Sequence, residues 1–213
     1  MYLDYLIKKP DFIDYKKNNN AIFLLHGYGS NEVDLFNFKD LFDENEFIIS
    51  LRAPIKLFDN GFGWFNLNLE NNDIESILDN IQIKNSLNLL KKTINYFKKK
   101  YSLKGNKTIL GFSQGAIISW SLIFDNYINF DRLVSLSGFI NFNYKINLNP
   151  EIKKIKCFIS HGINDMVIPI ELSRKTKAFL KENNFNVEYK EYNEGHTINE
   201  QNLNDLFNWL KTH

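Results

Sequence analysis

Short, mainly apolar runs alternate along this chain with longer segments whose apolar residues recur every three or four positions. Ala21–Leu25, Phe47–Leu51, Lys107–Leu110, Leu133–Leu136 and Ile155–Ser160 are of the first kind. They lack the polar alternation of a half-exposed strand, so they predict strands buried on both faces. Ile83, Leu87, Leu90, Ile94, Phe97 and Tyr101 fall on one face of a helix, with Lys91, Lys92 and Lys98 to Lys100 mostly on the others. Ala116–Phe124 is apolar almost all round and predicts a buried helix. Val33, Leu35, Phe36, Phe38, Leu41 and Phe42 predict another helix, with Glu32 and Asp34 near its start. Pro169 opens a further helix, and the last carries Leu203, Leu206, Phe207 and Leu210. Val187–Tyr192 alternates as a strand, and Leu3–Lys8 reads as an edge strand. The stretch centred on Asp59–Phe65 reads as an irregular loop, either packed on the surface or forming a binding wall.

Strands separated by helices need parallel crossovers, which predicts an α/β fold with a mostly parallel central sheet and helices on both faces. No repeat, low-complexity linker or charge tract interrupts residues 1–213, so a single domain is expected. Ligands of such sheets sit at the carboxyl ends of the strands. The loops at His26-Gly27, Gly111 to Gly115, His161 to Asp165 and Gly195-His196 all begin there.

Composition narrows the function. With 44% apolar residues and 15% aromatics, the chain has the makings of a sizeable core, and a net charge of +1 gives no sign of a nucleic-acid surface. Cys157 is the only cysteine, which excludes an intramolecular disulfide and a cysteine-built metal site. The N-terminal residues lack a signal peptide's apolar region, and no stretch has the length of a membrane span, so a cytoplasmic location is expected.

The chemistry centres on Gly111-Phe112-Ser113-Gln114-Gly115. A G-x-S-x-G pattern arises by chance in roughly one chain of this length in fifteen. Here it lies between a predicted buried strand and a predicted buried helix, the setting of a nucleophile elbow. A Ser hydroxyl needs a base, and the base needs an acid to fix its tautomer and balance its cation. The elbow arrangement expects the order Ser, acid, His. Of the histidines after Ser113, His213 ends the chain and His161 follows directly on a strand; His196, in Gly195-His196-Thr197, is the candidate base. Asp165 lies between nucleophile and base in a strand-end loop and is the candidate acid, whereas Asp125 and Asp131 precede the next strand. The backbone N–H groups of Gln114 and Tyr28 are the candidate oxyanion hole. His26 reads as a loop histidine bonded to backbone, and no spacing signature supports a metal.

These motifs resemble the phospholipase/carboxylesterase family of the α/β-hydrolase superfamily, which includes acyl-protein thioesterases. The resemblance rests on Leu25 to Leu35, Arg52-Ala53-Pro54, Gly63-Trp64-Phe65, Gly111 to Ala116, His161 to Pro169 and Gly195-His196, in family order across most of the chain. It implies a Ser113-His196-Asp165 triad, an oxyanion hole at Tyr28 and Gln114, and an acyl side lined by Trp64 and Phe65. It implies a small-molecule ester or thioester substrate, no cofactor and no metal, with the chain a monomer or homodimer. Leu67 to Asn80 is rich in Asn, Asp and Glu, unlike an apolar lid, so a short-chain carboxylesterase is expected ahead of a thioesterase or lysophospholipase acting on lipid-like chains. A peptidase would want an added cap, a lactone hydrolase often has Cys at the elbow, and a non-catalytic binder on this scaffold typically loses a triad member.

Overall fold

A computed structural model of the chain describes residues 2–11, 13, 18–67, 78–127 and 129–213. Most of the Leu67 to Asn80 segment, on which the short-chain expectation rests, lies outside the described residues. Nine strands are described: β1 (Tyr5–Lys8), β2 (Ala21–Leu25), β3 (Phe47–Leu51), β4 (Ile55–Phe58), β5 (Gly61–Gly63), β6 (Lys107–Phe112), β7 (Arg132–Leu136), β8 (Lys156–Gly162) and β9 (Asn186–Tyr192). The helices are α1 (Val33–Phe36), α2 (Asn80–Lys100), α3 (Gln114–Phe124), α4 (Ile170–Glu182) and α5 (Glu200–Thr212).

Seven strands form one sheet in the order β1-β3-β2-β6-β7-β8-β9. Only the edge strand β1 runs antiparallel; the other pairings are parallel. The alternation of side chains along β2 explains why its run has no polar position. Ala21, Phe23 and Leu25 enter one apolar layer with α2, α3 and Leu180 of α4. Ile22 and Leu24 enter a second layer with Leu35 of α1 and Leu206 and Trp209 of α5. Both faces are covered, as buried parallel sheets require. α2 begins where the Asp79 carboxylate accepts from Ile81 N–H and Gln82 N–H, both at 3.0 Å, a cap that contributes about 1 kcal/mol.

Two expectations are corrected. The helix predicted from Val33 to Phe42 is a four-residue helix, α1, followed by a 3₁₀ turn at Lys39–Leu41. Splitting the segment lets Phe42 leave in extended backbone and pack its ring 5.1 Å from that of Phe207 on α5. The stretch read as irregular contains the hairpin β4–β5, too short and too glycine-rich to announce itself by alternation.

The loop after β2 is clamped. Gly29 N–H donates to Phe62 O (2.9 Å) and Phe62 N–H to Ser30 O (2.8 Å). Arg52, just past β3, grips the buried Glu32 through Nε (2.6 Å to Oε2) and Nη2. Burial alone would raise the Glu32 pKa, but the hydrogen bond from Arg52, a backbone hydrogen bond and the charge of Arg52 together outweigh this and hold the carboxyl below its ordinary 4.5. The stability supplied by the ionised pair is therefore whole above about pH 4.5 and fades as pH falls through the lower folded value. Glu32→Gln should lower stability by about 1–2 kcal/mol at neutral pH, less than a sealed ion pair because the Arg52 side chain is 32% exposed. Urea melts at neutral pH and near pH 3 check this: the gap between the two proteins should shrink in acid.

Candidate active site

The elbow is built by a close approach of backbones. A Cβ on Gly111 would lie 2.2 Å from Gly115 O, and one on Gly115 would lie 2.0 Å from Leu25 O. Without those atoms, α3 starts directly against the ends of β6 and β2. Ser113, between them, takes φ 55° and ψ −119°, a conformation that L-residues rarely adopt. Its N–H is tied to Leu136 O at 2.8 Å, and Ser137 N–H to Ser160 O at 2.8 Å, so the ends of β6, β7 and β8 are laced together.

The next pair of strands supplies the other two side chains. Gly162 of β8 pairs with Tyr192 of β9, and Asn164 N–H donates to Glu194 O at 2.9 Å, so the loop carrying Asp165 lies against the loop carrying His196. His196 Nδ1 is 2.6 Å from Asp165 Oδ2, and His196 Nε2 is 2.9 Å from Ser113 Oγ. The carboxylate accepts from Nδ1–H, which leaves Nε2 to accept from the Ser113 hydroxyl. Asp165 Oδ1 accepts from Val167 N–H and Ile168 N–H, each at 2.9 Å. The Asp165 side chain is wholly buried, and the imidazole of His196 is 16% exposed. The Phe112 ring packs 5.0 Å from it.

Tyr28 N–H and Gln114 N–H, the two expected oxyanion donors, have no acceptor among the described residues. His26 behind the first loop is bonded to backbone, as read from the sequence. Ala53 N–H donates to its Nε2 (3.0 Å), so Nδ1 carries the proton and donates to Gly27 O (2.7 Å). Burial pushes its pKa down and favours this neutral form.

The Gln114 side chain does a second job. Its Oε1 accepts from Trp64 N–H (2.8 Å) and its Nε2 donates to Phe65 O (2.7 Å), fixing the aromatic loop beside Ser113. That loop splits the two residues expected to touch the acyl group. Phe65 lines the cavity beside Ser113, but Trp64 does not: its indole is fully buried, with Nε1–H on His26 O at 2.9 Å.

The cavity, about 340 Å³, opens on Ser113 and His196. Phe65, Leu67, Leu78, Ile117, Phe139 and Ile168 form its apolar wall, with Tyr28 and Val167 also on it. Among the described residues its lining has no Asp, Glu, Lys or Arg. Phe65 and Phe139 stand out in the sequence as aromatics beside the motifs. Ile168 lies within the His161 to Pro169 motif, whereas Ile117, Leu67 and Leu78 are brought in from separate elements and nothing local marks them. Met166, another apolar residue beside the motifs, is 93% exposed. A larger groove, about 660 Å³ and lined with lysines, lies at the opposite end of the sheet, away from Ser113. Among the described residues no helix is long and apolar enough to cross a membrane, and no cluster of three or more His, Cys, Asp or Glu could hold a metal.

The architecture recurs in solved structures. A carboxylesterase from Bacillus cereus superposes with a TM-score of 0.83 over 99% of this chain and 94% of its own, at 24% identity. An acyl-protein thioesterase 2 from Zea mays does so with 0.75 over 99% of each chain, at 21% identity. In sequence, acyl-protein thioesterase 1 of Saccharomyces cerevisiae is 31% identical over 154 residues, 70% of this chain and 67% of its own. The carboxylesterase SOBER1 of Arabidopsis thaliana is 29% identical over 109 residues; that match spans about half of each chain. The sequence pattern of one family, phospholipase/carboxylesterase, runs through residues 13–213 with the elbow at its centre, and the chain belongs to that family of hydrolases.

Proposed function

We propose that the chain is a serine hydrolase cleaving neutral carboxylic esters or thioesters of short acyl chains through an acyl-enzyme. One observation carries this reading: the hydrogen-bonded chain Asp165–His196–Ser113 opens on a small cavity whose described lining is mainly apolar. In it Ser113 Oγ attacks the carbonyl carbon as its proton passes to His196 Nε2. The carbonyl oxygen, now negative, takes hydrogen bonds from Tyr28 N–H and Gln114 N–H. As the tetrahedral carbon collapses, the bond to the alcohol or thiol breaks and His196 gives that group its proton. Water then attacks the acyl-Ser113 by the same steps, and the acid leaves. Asp165 stays a carboxylate throughout and balances the imidazolium.

The acyl group would lie against Phe65, Ile117 and Phe139. A cavity of about 340 Å³ is near the small end of ligand pockets, which favours short chains. Among the described residues the lining carries no Asp, Glu, Lys or Arg, which disfavours acids bearing a second charge. The similarity to acyl-protein thioesterases supports the second reading, longer chains on thioesters.

Hydrolysis of nitrophenyl esters from acetate to palmitate, beside labelling with a covalent serine probe, tests the reading. Turnover should peak between acetyl and hexanoyl. A peak at palmitoyl would move the assignment to long-chain thioesters. No turnover and no label on Ser113 would leave a binding protein on a hydrolase scaffold.

A further inference from the structure

His26 is fully buried just past the end of β2, and the mechanism above gives it no part. Its ring is fixed from two sides. Ala53 N–H, two residues beyond β3, donates to Nε2 at 3.0 Å, so Nε2 is bare and the hydrogen sits on Nδ1. Nδ1–H donates to Gly27 O at 2.7 Å. The Trp64 indole lies beside the ring, with 5.6 Å between centroids, and its Nε1–H donates to His26 O at 2.9 Å. Burial pushes the pKa of this imidazole down, which favours the neutral form that the pattern needs.

Gly27 O and Tyr28 N–H belong to one peptide unit. Such a unit is planar, and among the described residues no peptide bond is cis. In a trans unit the C=O and the N–H point in opposite directions. Gly27 O faces the buried imidazole, so Tyr28 N–H is turned away from it. The unit also lies against the nucleophile: a Cβ on Gly27 would be 3.3 Å from Ser113 Cβ. Tyr28 lines the cavity that opens on Ser113, and its N–H has no acceptor among the described residues.

We infer that His26 is a positioning residue for the oxyanion hole: by holding Gly27 O on the buried side, its Nδ1–H aims Tyr28 N–H into the cavity beside Ser113. The inference rests on the roles given to Ser113 and Tyr28 above. Gly27 has no Cβ to resist rotation of this peptide, so the direction of the N–H must be set by a bond. Ser30 N–H also donates to Gly27 O, but at 3.3 Å and from within the loop. The bonds between Gly29, Ser30 and Phe62 hold the next turn of the loop. His26 Nδ1–H is the nearer donor to the peptide that carries Tyr28 N–H, and Ala53 anchors it to the sheet.

Two variants separate the two bonds of the ring. His26→Asn keeps an amide N–H near the place of Nδ1 and loses the acceptor for Ala53 N–H. His26→Gln keeps an acceptor near the place of Nε2 and loses the donor to Gly27 O. Both would be compared with wild type and Ser113→Ala in nitrophenyl acetate hydrolysis and in inhibition by a trifluoromethyl ketone, with folding checked by circular dichroism. Ser113 Oγ adds to the ketone carbon, the carbonyl electron pair moves onto its oxygen, and the hydroxyl proton passes to His196. In His26→Gln, kcat should fall roughly 10-fold or more with KM within about twofold. The loss should stop short of the roughly 10²–10³ that a missing donor costs, because Ser30 still holds Gly27 O. The ketone's inhibition constant should rise by a similar factor, since its adduct carries the same oxyanion. His26→Asn should stay within about threefold of wild type in both measurements, whichever variant melts lower. Equal losses in both variants, or a slow His26→Gln that binds the ketone as tightly as wild type, would show a purely structural residue.

Nitrogen-15 NMR of the wild-type imidazoles needs no variant to fold. At neutral pH His26 should be the neutral Nδ1–H tautomer; an Nε2–H tautomer or an imidazolium overturns the inference whatever the ester assays give. If Ser113→Ala hydrolysed the ester or bound the ketone as wild type does, the catalytic roles themselves would fail, and the tautomer would still judge the bond from His26 to Gly27.

Discussion

Ser113→Ala is expected to lower kcat for ester hydrolysis by roughly 10⁵-fold or more, because the nucleophile and its base act as a unit and removing one disables both. The fold should survive. The side chain contributes one hydroxyl, whose partner is His196 Nε2. The positions of α3 and β6 depend on backbone: Ser113 N–H on Leu136 O, and the glycine contacts on either side. The melting temperature should therefore stay within about 2 °C of wild type, since each kcal/mol moves a domain of this size by about 2–4 °C. Stopped-assay hydrolysis and a thermal melt on one preparation check both halves. Full activity in a folded Ser113→Ala would remove Ser113 from the mechanism.

Gly115→Ala should damage both stability and turnover. The added methyl would sit 2.0 Å from Leu25 O and 2.7 Å from His26 O, and these are backbone atoms that cannot rotate away. Either α3 lifts off the sheet or the end of β2 moves. Overpacking of this kind costs about 1–3 kcal/mol and more when backbone must shift, so a melting temperature lower by about 5 °C or more is expected. Turnover should suffer beyond the stability loss. The clash pushes the start of α3, with Gln114 N–H, away from the end of β2, where the Tyr28 loop begins. Loss of one oxyanion donor costs about 2.7–4 kcal/mol, or roughly 10²–10³ in kcat. A variant that melts with wild type and turns over normally would show that the elbow does not need this close approach.

The sheet was legible because burying a parallel strand on both faces removes the polar alternation from it. Ala21–Leu25 and Phe47–Leu51 have no other simple explanation. The hairpin at β4–β5 was not legible, since Gly61-Phe62-Gly63 is three residues long and offers no period to count. α1 was overread because Phe38 and Phe42 keep a helical spacing while the backbone between them turns as 3₁₀. At the site, Ser113, Asp165 and His196 could be singled out as candidates because each lies just past the end of a strand, and strand ends of a parallel sheet meet. Trp64 was assigned to the acyl side with Phe65 because the family resemblance places the whole Gly63-Trp64-Phe65 motif there. In a loop of that kind successive side chains point oppositely, and the indole went down onto His26. Much of the cavity wall had no local signature, because tertiary packing brings Ile117 beside Leu67 and Leu78.

The two hydrogen bonds from the Gln114 side chain to Trp64 and Phe65 tie together properties that protein engineers usually try to vary separately. In the proposed mechanism one residue carries an oxyanion N–H on its backbone and braces the proposed acyl wall with its amide. Widening the pocket at Phe65 to admit a bulkier acid would pull on the same residue that faces the reacting carbonyl. On that mechanism, chain-length preference and catalytic rate are not independent traits in this scaffold. A lineage adapting to new acids would find the freer route at Leu67, Leu78 or Phe139, which border the cavity without sharing that brace.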